Sequence, residues 1–265
     1  MDNEIEDRVA FGHSLVAKQI SFFEASFGRV TSQWKYDGSR VTEADLTLSR
    51  AFETALSERF PGDLFLSEEL DADRGAIAVN ERFAWLVDPI DGTNNFARGI
   101  PACSISVALL ENGMPVYGFV YDHMSRSLIH GGEGYGVRIG ERELHFLDEK
   151  PTSQSIVGAQ HCALEESLKD DSALQQRFKI RNFGSSAIQL VYVVVGWIDG
   201  VIAHRVNTWD VAAGVAMMRA AGGRIHYFEE DPFPLETFDV RKHTFAYMAG
   251  SPQMLDAMLE VTGKA

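Results

Sequence analysis

Apolar residues recur at Ile5, Val9, Val16, Ile20, Phe23 and Phe27 at spacings of three, four and seven. That spacing predicts a single apolar stripe on a long first helix. A second helix is predicted from about Glu43 to Arg59, with Leu48, Phe52 and Ala55 on one face and Pro61-Gly62 ending it. Between the two, Trp34 to Arg40 reads as a polar loop or hairpin around Asp37-Gly38. From Leu64 the period shortens. Leu64 to Leu66, Ala84 to Val87, Ser104 to Leu110, Val116 to Tyr121, Leu128 to His130 and Gly136 to Ile139 are short strand-like runs. Asn112-Gly113 and Gly140-Glu141 are turn signals that join neighbours into antiparallel hairpins.

A break near Lys150-Pro151 begins a second half, in which Ile156 to Ala159, Lys179 to Asn182 and Val201 to Ala203 read as strands alternating with helical segments. Residues 188–198 read either way: Val193-Val194-Val195 favours a strand, while Ser185 or Ser186 as a cap and Gly196 near the end favour a helix. Asp210 to Ala221 is predicted to be a helix closed by Gly222-Gly223, and Ser251-Pro252 opens a last one. The expectation is an α+β protein of two halves, 1–150 and 151–265, forming one compact unit.

Composition narrows the classes. The chain has 265 residues, 45% apolar and 23% charged, as in an ordinary soluble globular protein. With 38 acidic against 24 basic residues it carries a net charge of −14 and no run of Lys and Arg. That charge repels phosphate backbones and anionic lipid, so neither nucleic acid nor a membrane is an expected partner. Cys103 and Cys162 form neither a disulfide framework nor a zinc motif, which fits a reducing compartment. The acidic start, Met1 to Asp7, reads as no secretory signal, and the apolar run Ile188 to Ile198 is too short to span a bilayer. A cytoplasmic location is expected.

The segment from Trp85 to Phe96, Trp-Leu-Val-Asp-Pro-Ile-Asp-Gly-Thr-Asn-Asn-Phe, carries the most chemistry. An apolar strand delivers Asp88 and Asp91 and then a Gly92-Thr93 pair suited to open a helix. Two carboxylates on one rigid turn do not both stay ionised without a compensating cation, and a hard divalent metal supplies it. Unpaired amides of Gly92 and Thr93 at a helix start favour an anion such as phosphate at the same place. An acidic turn alone is ordinary turn chemistry. The full string instead describes a metal-assisted phosphoryl site.

Together with Ser67-Glu68-Glu69, Val41-Thr42-Glu43-Ala44-Asp45 and Trp209-Asp210-Val211-Ala212-Ala213-Gly214, followed by Ala221-Gly222-Gly223, this segment resembles the inositol monophosphatase family. That family lies within the Mg²⁺-dependent, lithium-sensitive phosphatase superfamily. The resemblance implies the layered αβαβα sandwich of the inositol monophosphatase and fructose bisphosphatase type. It also implies a phosphomonoesterase acting on a small polyol or sugar monophosphate, such as inositol 1-phosphate, by in-line attack of a metal-activated water. Two or three Mg²⁺ ions are implied, with Mn²⁺ as an alternative: Glu68, Asp88 and the Ile90 carbonyl for the first, and Asp88, Asp91 and Asp210 for the second. By the same resemblance Asp45, Glu68 and Thr93 serve the attacking water, and Gly92 and Thr93 hold the phosphate. A homodimer is also implied.

The chain departs from the family where substrate is chosen. Members acting on inositol phosphates commonly have a Glu seven residues before the aspartate of the Trp-Asp motif, and here that position is Ala203. A methyl group accepts no hydrogen bond from a substrate hydroxyl. The neighbouring His204 and Arg205 become candidates for reading a second anionic group, with a plain surface loop as the alternative. Ser185, Ser186 and Asn94 are further candidates for substrate contact. Histidinol phosphate, a 3′,5′-bisphosphonucleoside and fructose bisphosphate are therefore rival substrates, and a regulatory binding protein that retains the fold is the rival function.

Overall fold

A computed structural model describes residues 3–35, 40–70, 75–140, 142–144, 148–160, 165–241 and 244–264. The chain runs α1 (Asn3–Ser26), β1 (Ser32–Trp34), β2 (Arg40–Thr42), α2 (Glu43–Arg59), β3 (Leu64–Ser67), β4 (Ile77–Ala78), β5 (Phe83–Asp91), α3 (Thr93–Arg98), β6 (Ser104–Glu111), β7 (Met114–Asp122), β8 (Ser127–Gly132), β9 (Gly136–Ile139) and β10 (Arg142–Leu144). It continues through β11 (Ile156–Gln160), α4 (Glu165–Arg177), β12 (Lys179–Arg181), α5 (Ser186–Val194), β13 (Gly200–Val206), α6 (Thr208–Ala221), β14 (Arg224–Tyr227), β15 (Thr237–Phe238), β16 (Phe245–Gly250) and α7 (Pro252–Thr262). Asp37-Gly38, Glu141 and Cys162 fall outside the described residues.

One seven-stranded sheet has the order β10-β9-β8-β7-β6-β5-β3, antiparallel except for the parallel β3–β5 pair. A second, mixed sheet has the order β12-β11-β13-β16-β14. Period-two alternation decides what each face meets. Trp85 and Val87 of β5, Ile105, Val107 and Leu109 of β6, and Phe119 of β7 join Val16 and Phe23 of α1 and Leu48 and Phe52 of α2 in one core. Their neighbours Ala84, Leu86, Ala108, Leu110 and Val120 pack on the other side with α5 and α6, which also cover Val201 and Ala249 of the second sheet. The far face of that sheet, with Val157, Ile202 and Met248, is covered by α4 and α7 through Leu174, Leu255 and Met258. Helices, sheet, helices, sheet and helices thus stack as the expected αβαβα layers.

The run at 188–198 resolves as helix α5 followed by a turn. Every residue of α5 is buried, because the helix lies between two sheets and has no solvent face to make polar. Ser185 caps it, accepting from Ile188 N at 3.3 Å. The close layers need small residues: a Cβ on Gly118 of β7 would lie 2.2 Å from the carbonyl oxygen of Ala213 in α6. The last of the predicted helices but one begins earlier than expected, at Thr208 with Asn207 as its cap, so Asp210 is the third residue of α6. The short strands β4, β10, β14, β15 and β16 were not legible as strands, since most lack an alternating apolar run. Among the described residues no helix is long and apolar enough to cross a membrane.

Candidate metal centre and active site

Asp88 and Asp91 stand three residues apart, a spacing that in a regular strand would send them to opposite faces. β5 is irregular between them: Asp88 pairs with Ser106 and Asp91 with Ser104, so three steps on β5 match two on β6. The extra residue is a bulge, and Pro89, which has no amide proton to give to a ladder, sits in it. Both carboxylates therefore reach the same side. Asp210 arrives from the first turn of α6, where its Oδ2 accepts from Asn207 N at 2.9 Å. One carboxylate oxygen from each of Asp88, Asp91 and Asp210 lies within 4.8 Å of the others, and all three residues are buried.

Electrostatics make this grouping costly as it stands. Burial, followed by the charges of Glu68, Asp91 and Asp210, pushes the Asp88 carboxyl well above the usual carboxylate range. Burial, then Asp91 and Glu68, does the same to Asp210. Asp91 is pushed up to about 6 by burial, against donors that favour its charge. Those donors are Ala187 N at 2.9 Å, Ser186 N at 3.3 Å and the Ser185 hydroxyl. A buried set of hard oxygen donors with like charges at this separation fits a divalent cation such as Mg²⁺, which removes the repulsion.

These residues line a cleft of about 320 Å³ together with Glu68, Ile90, Gly92, Thr93 and Asn94. Glu68 stands at its edge, where Lys35 Nζ lies 2.6 Å from both Glu68 Oε1 and Glu69 Oε1. Burial works against the Lys35 ammonium, but Glu68 and Glu69 outweigh it and hold its pKa above the ordinary value. Burial and the Glu68 charge push Glu69 up to about 8. Gly92, at φ +81°, occupies the left-handed region, and a Cβ there would meet the Ala102 carbonyl oxygen at 3.0 Å. The chain then turns into the six residues of α3, whose first amides have no acceptor within the helix.

Asp45 lies behind Thr93. Its Oδ2 accepts from Thr42 N at 2.7 Å and Thr42 Oγ1 at 2.5 Å, and burial pushes it up to about 7. Thr93 Oγ1 is 3.0 Å from the Ile90 carbonyl oxygen and 3.4 Å from Asp45 Oδ1.

Three sequence-derived substrate contacts do not line the cleft. His204 faces α4, with Nε2 3.6 Å from Asp170 Oδ2. Arg205 is exposed, and neither residue lines the cleft. Alternation along β13 explains this: Ala203 faces the layer of α5 and α6, so His204 points to the opposite side. Ser185 is spent capping α5 and binding Asp91. Ser186 and Asn94 do line the cleft. Sequence reading missed Lys35, Gln160, Asn207 and the pair Trp34 and Arg40, whose guanidinium lies 4.1 Å from the indole ring centre at the cleft. Only the hairpin signal around residues 34–40 pointed toward that pair; for Gln160, at the end of a short strand, there was none.

The family model described as the inositol monophosphatase family matches residues 7–259. The inositol-1-monophosphatase of Bacillus subtilis is 32% identical over 225 residues, covering 83% of this chain and 82% of its own. The Nus factor SuhB of Xylella fastidiosa is 29% identical over 227 residues, covering 83% and 80%. Among solved structures, the Thermotoga maritima IMPase superposes with a TM-score of 0.83 at 26% identity, covering 97% of each chain.

Proposed function

The chain belongs to the inositol monophosphatase family, whose chemistry is metal-dependent phosphate ester hydrolysis, and on that premise we propose that it is a Mg²⁺-dependent phosphomonoesterase acting on a small polyol or sugar monophosphate, with inositol 1-phosphate the first candidate. The observation that carries the reading is the buried group Asp88, Asp91 and Asp210 in one cleft with the start of α3. Asp88, Asp91 and Asp210 would hold metal, with Glu68 and the Ile90 carbonyl completing the set and two or three ions bound. When bound, Mg²⁺ lowers the pKa of a water and neutralises charge developing on the ester.

The protein's own groups position and move protons. The amides of Gly92 and Thr93, at the start of α3, suit the phosphate oxygens. Thr93 holds the nucleophilic water, and Asp45, with a pKa of about 7, takes its proton through the Thr93 hydroxyl. No protein nucleophile is required, because orientation and charge neutralisation supply most of the rate.

A phosphate-release panel tests this. It comprises inositol 1-phosphate, sugar monophosphates, histidinol phosphate, a 3′,5′-bisphosphonucleoside and fructose bisphosphate, each with Mg²⁺, with EDTA and with Li⁺. Mg²⁺-dependent release from a polyol or sugar ester is expected, and no release from any compound by folded, Mg²⁺-loaded protein would overturn the reading. A regulatory role is the second reading, supported by the likeness to a Nus factor; the complete acidic cluster favours catalysis. A homodimer is also proposed. Buried Tyr192 touches both Met124 and Trp197, and a second copy would cover these two exposed apolar side chains. A monomer by light scattering at micromolar concentration would overturn that.

A further inference from the structure

Gln160 ends β11, and its parallel register sets it beside Ala203 of β13. Ala159 packs into the core under α4 and α7, so the alternation of the strand turns Gln160 to the opposite side. There it is half-buried and lines the same cleft as the three aspartates. Its position is held: Ser186 Oγ lies 2.5 Å from Gln160 Oε1, and Ser186 is itself tied by its backbone amide to Asp91 Oδ1 at 3.3 Å. Donation from the Ser186 hydroxyl holds the Gln160 carbonyl oxygen toward Ser186, so the amide NH₂, with two donors, is the group offered to a ligand. Ala203, next to it, offers a methyl group only.

From this arrangement we propose that Gln160 is a specificity-determining residue of the hydrolysis assigned above: its amide reads an oxygen acceptor on the leaving group, with Ser186 as its positioning residue. The inference rests on that assignment of function. The chemistry recognised is an oxygen on the alcohol being released, a hydroxyl or an anionic oxygen. A neutral amide serves here better than another acid, because the cleft already holds Glu68, Asp88, Asp91 and Asp210. Linked through Ser186 to Asp91, the amide sits in fixed relation to the acidic cluster, and with the Gly92 and Thr93 amides assigned to the phosphate it is left for the alcohol being released.

The test measures kcat and KM with Mg²⁺ for the best polyol or sugar monophosphate of the panel and for phenyl phosphate, whose leaving group has no second oxygen. For Gln160→Ala, KM for the oxygenated ester is expected to rise about tenfold, the worth of one hydrogen bond. Its KM for phenyl phosphate is expected to stay within twofold, and this also reports that the variant folds. Ser186→Ala should shift the same ratio in the same direction by a smaller factor. Gln160→Glu separates the two acceptor types: a hydroxyl reverses its role and donates, keeping KM near wild type, whereas an anionic oxygen is repelled. Equal changes on both substrates, or none on either, overturn the proposal, as does a wild-type enzyme that cleaves phenyl phosphate alone. A wild-type protein that cleaves neither brings down the assignment of phosphatase function itself.

Discussion

Thr93 Oγ1 lies 3.4 Å from Asp45 Oδ1, although the two residues come from different helices and stand 48 positions apart. Asp45 is fixed from behind by Thr42, and Thr93 by the turn at Gly92. If Asp45 accepts a proton through Thr93, Asp45→Asn and Thr93→Ala should each lower kcat by about 10²–10⁴-fold, the usual worth of general-base assistance. Mg²⁺ affinity by calorimetry should change little, since neither side chain belongs to the three-aspartate group. A loss of metal binding in parallel with kcat would instead make them structural supports of the metal centre.

Metal and pH should act on stability together. In metal-free protein, burial raises Asp91 to about 6, Asp45 to about 7 and Glu69 to about 8. A carboxyl whose folded pKa lies above its unfolded value contributes stability at low pH that is lost as pH rises through the folded pKa. The melting temperature of EDTA-treated protein should therefore fall from pH 5 to pH 8. Saturating Mg²⁺ should raise it more at pH 8 than at pH 5. A Mg²⁺ effect independent of pH would contradict the placement of the ion among these acids.

His130 has the opposite sign in a separate window. Burial, then His13, lowers its pKa to about 4, and its Nδ1 is 2.8 Å from the Tyr117 hydroxyl. Its stabilising share is present above the unfolded value near 6.5 and is lost as pH falls toward 4. His130→Gln should flatten the acid limb of a melting-temperature profile between pH 6.5 and 4, leaving the limb above pH 7 unchanged.

The placement of His204 and Ser185 predicts stability effects. His204→Ala should cost about 1 kcal/mol in a denaturation experiment, because it removes one contact of the buried Asp170, which keeps Lys264 as a partner, while KM for any ester stays within twofold. Ser185→Ala should cost about 1 kcal/mol or more through the lost cap of α5. A tenfold change in KM for His204→Ala would return that residue to the substrate site.

Much of this was legible in the chain because it is local. The α2 boundaries follow from Thr42 and Pro61, and the turn at Asn112-Gly113 follows from its residue types, with φ of 50° and 76°. The acids of the Asp88 to Thr93 segment announced their chemistry together. Hidden features depend on partners distant in sequence. Which face His204 takes is set by the register of β13 against β11 and β16. Residues 188–194 become helical because sheets cover both sides of α5. Lys35 meets Glu68 and Glu69 only across the fold, and Gln160 reaches the cleft only because β11 pairs with β13.

The most direct measurement is phosphate release as a function of Mg²⁺ concentration for the wild-type protein and Asp88→Asn, both shown to be folded. Hydrolysis that rises with Mg²⁺, vanishes in EDTA and falls by about 10³-fold or more in Asp88→Asn is the result predicted for a metal held by the buried aspartates. Wild-type turnover that persists in EDTA, or an Asp88→Asn variant that keeps wild-type activity, would contradict it.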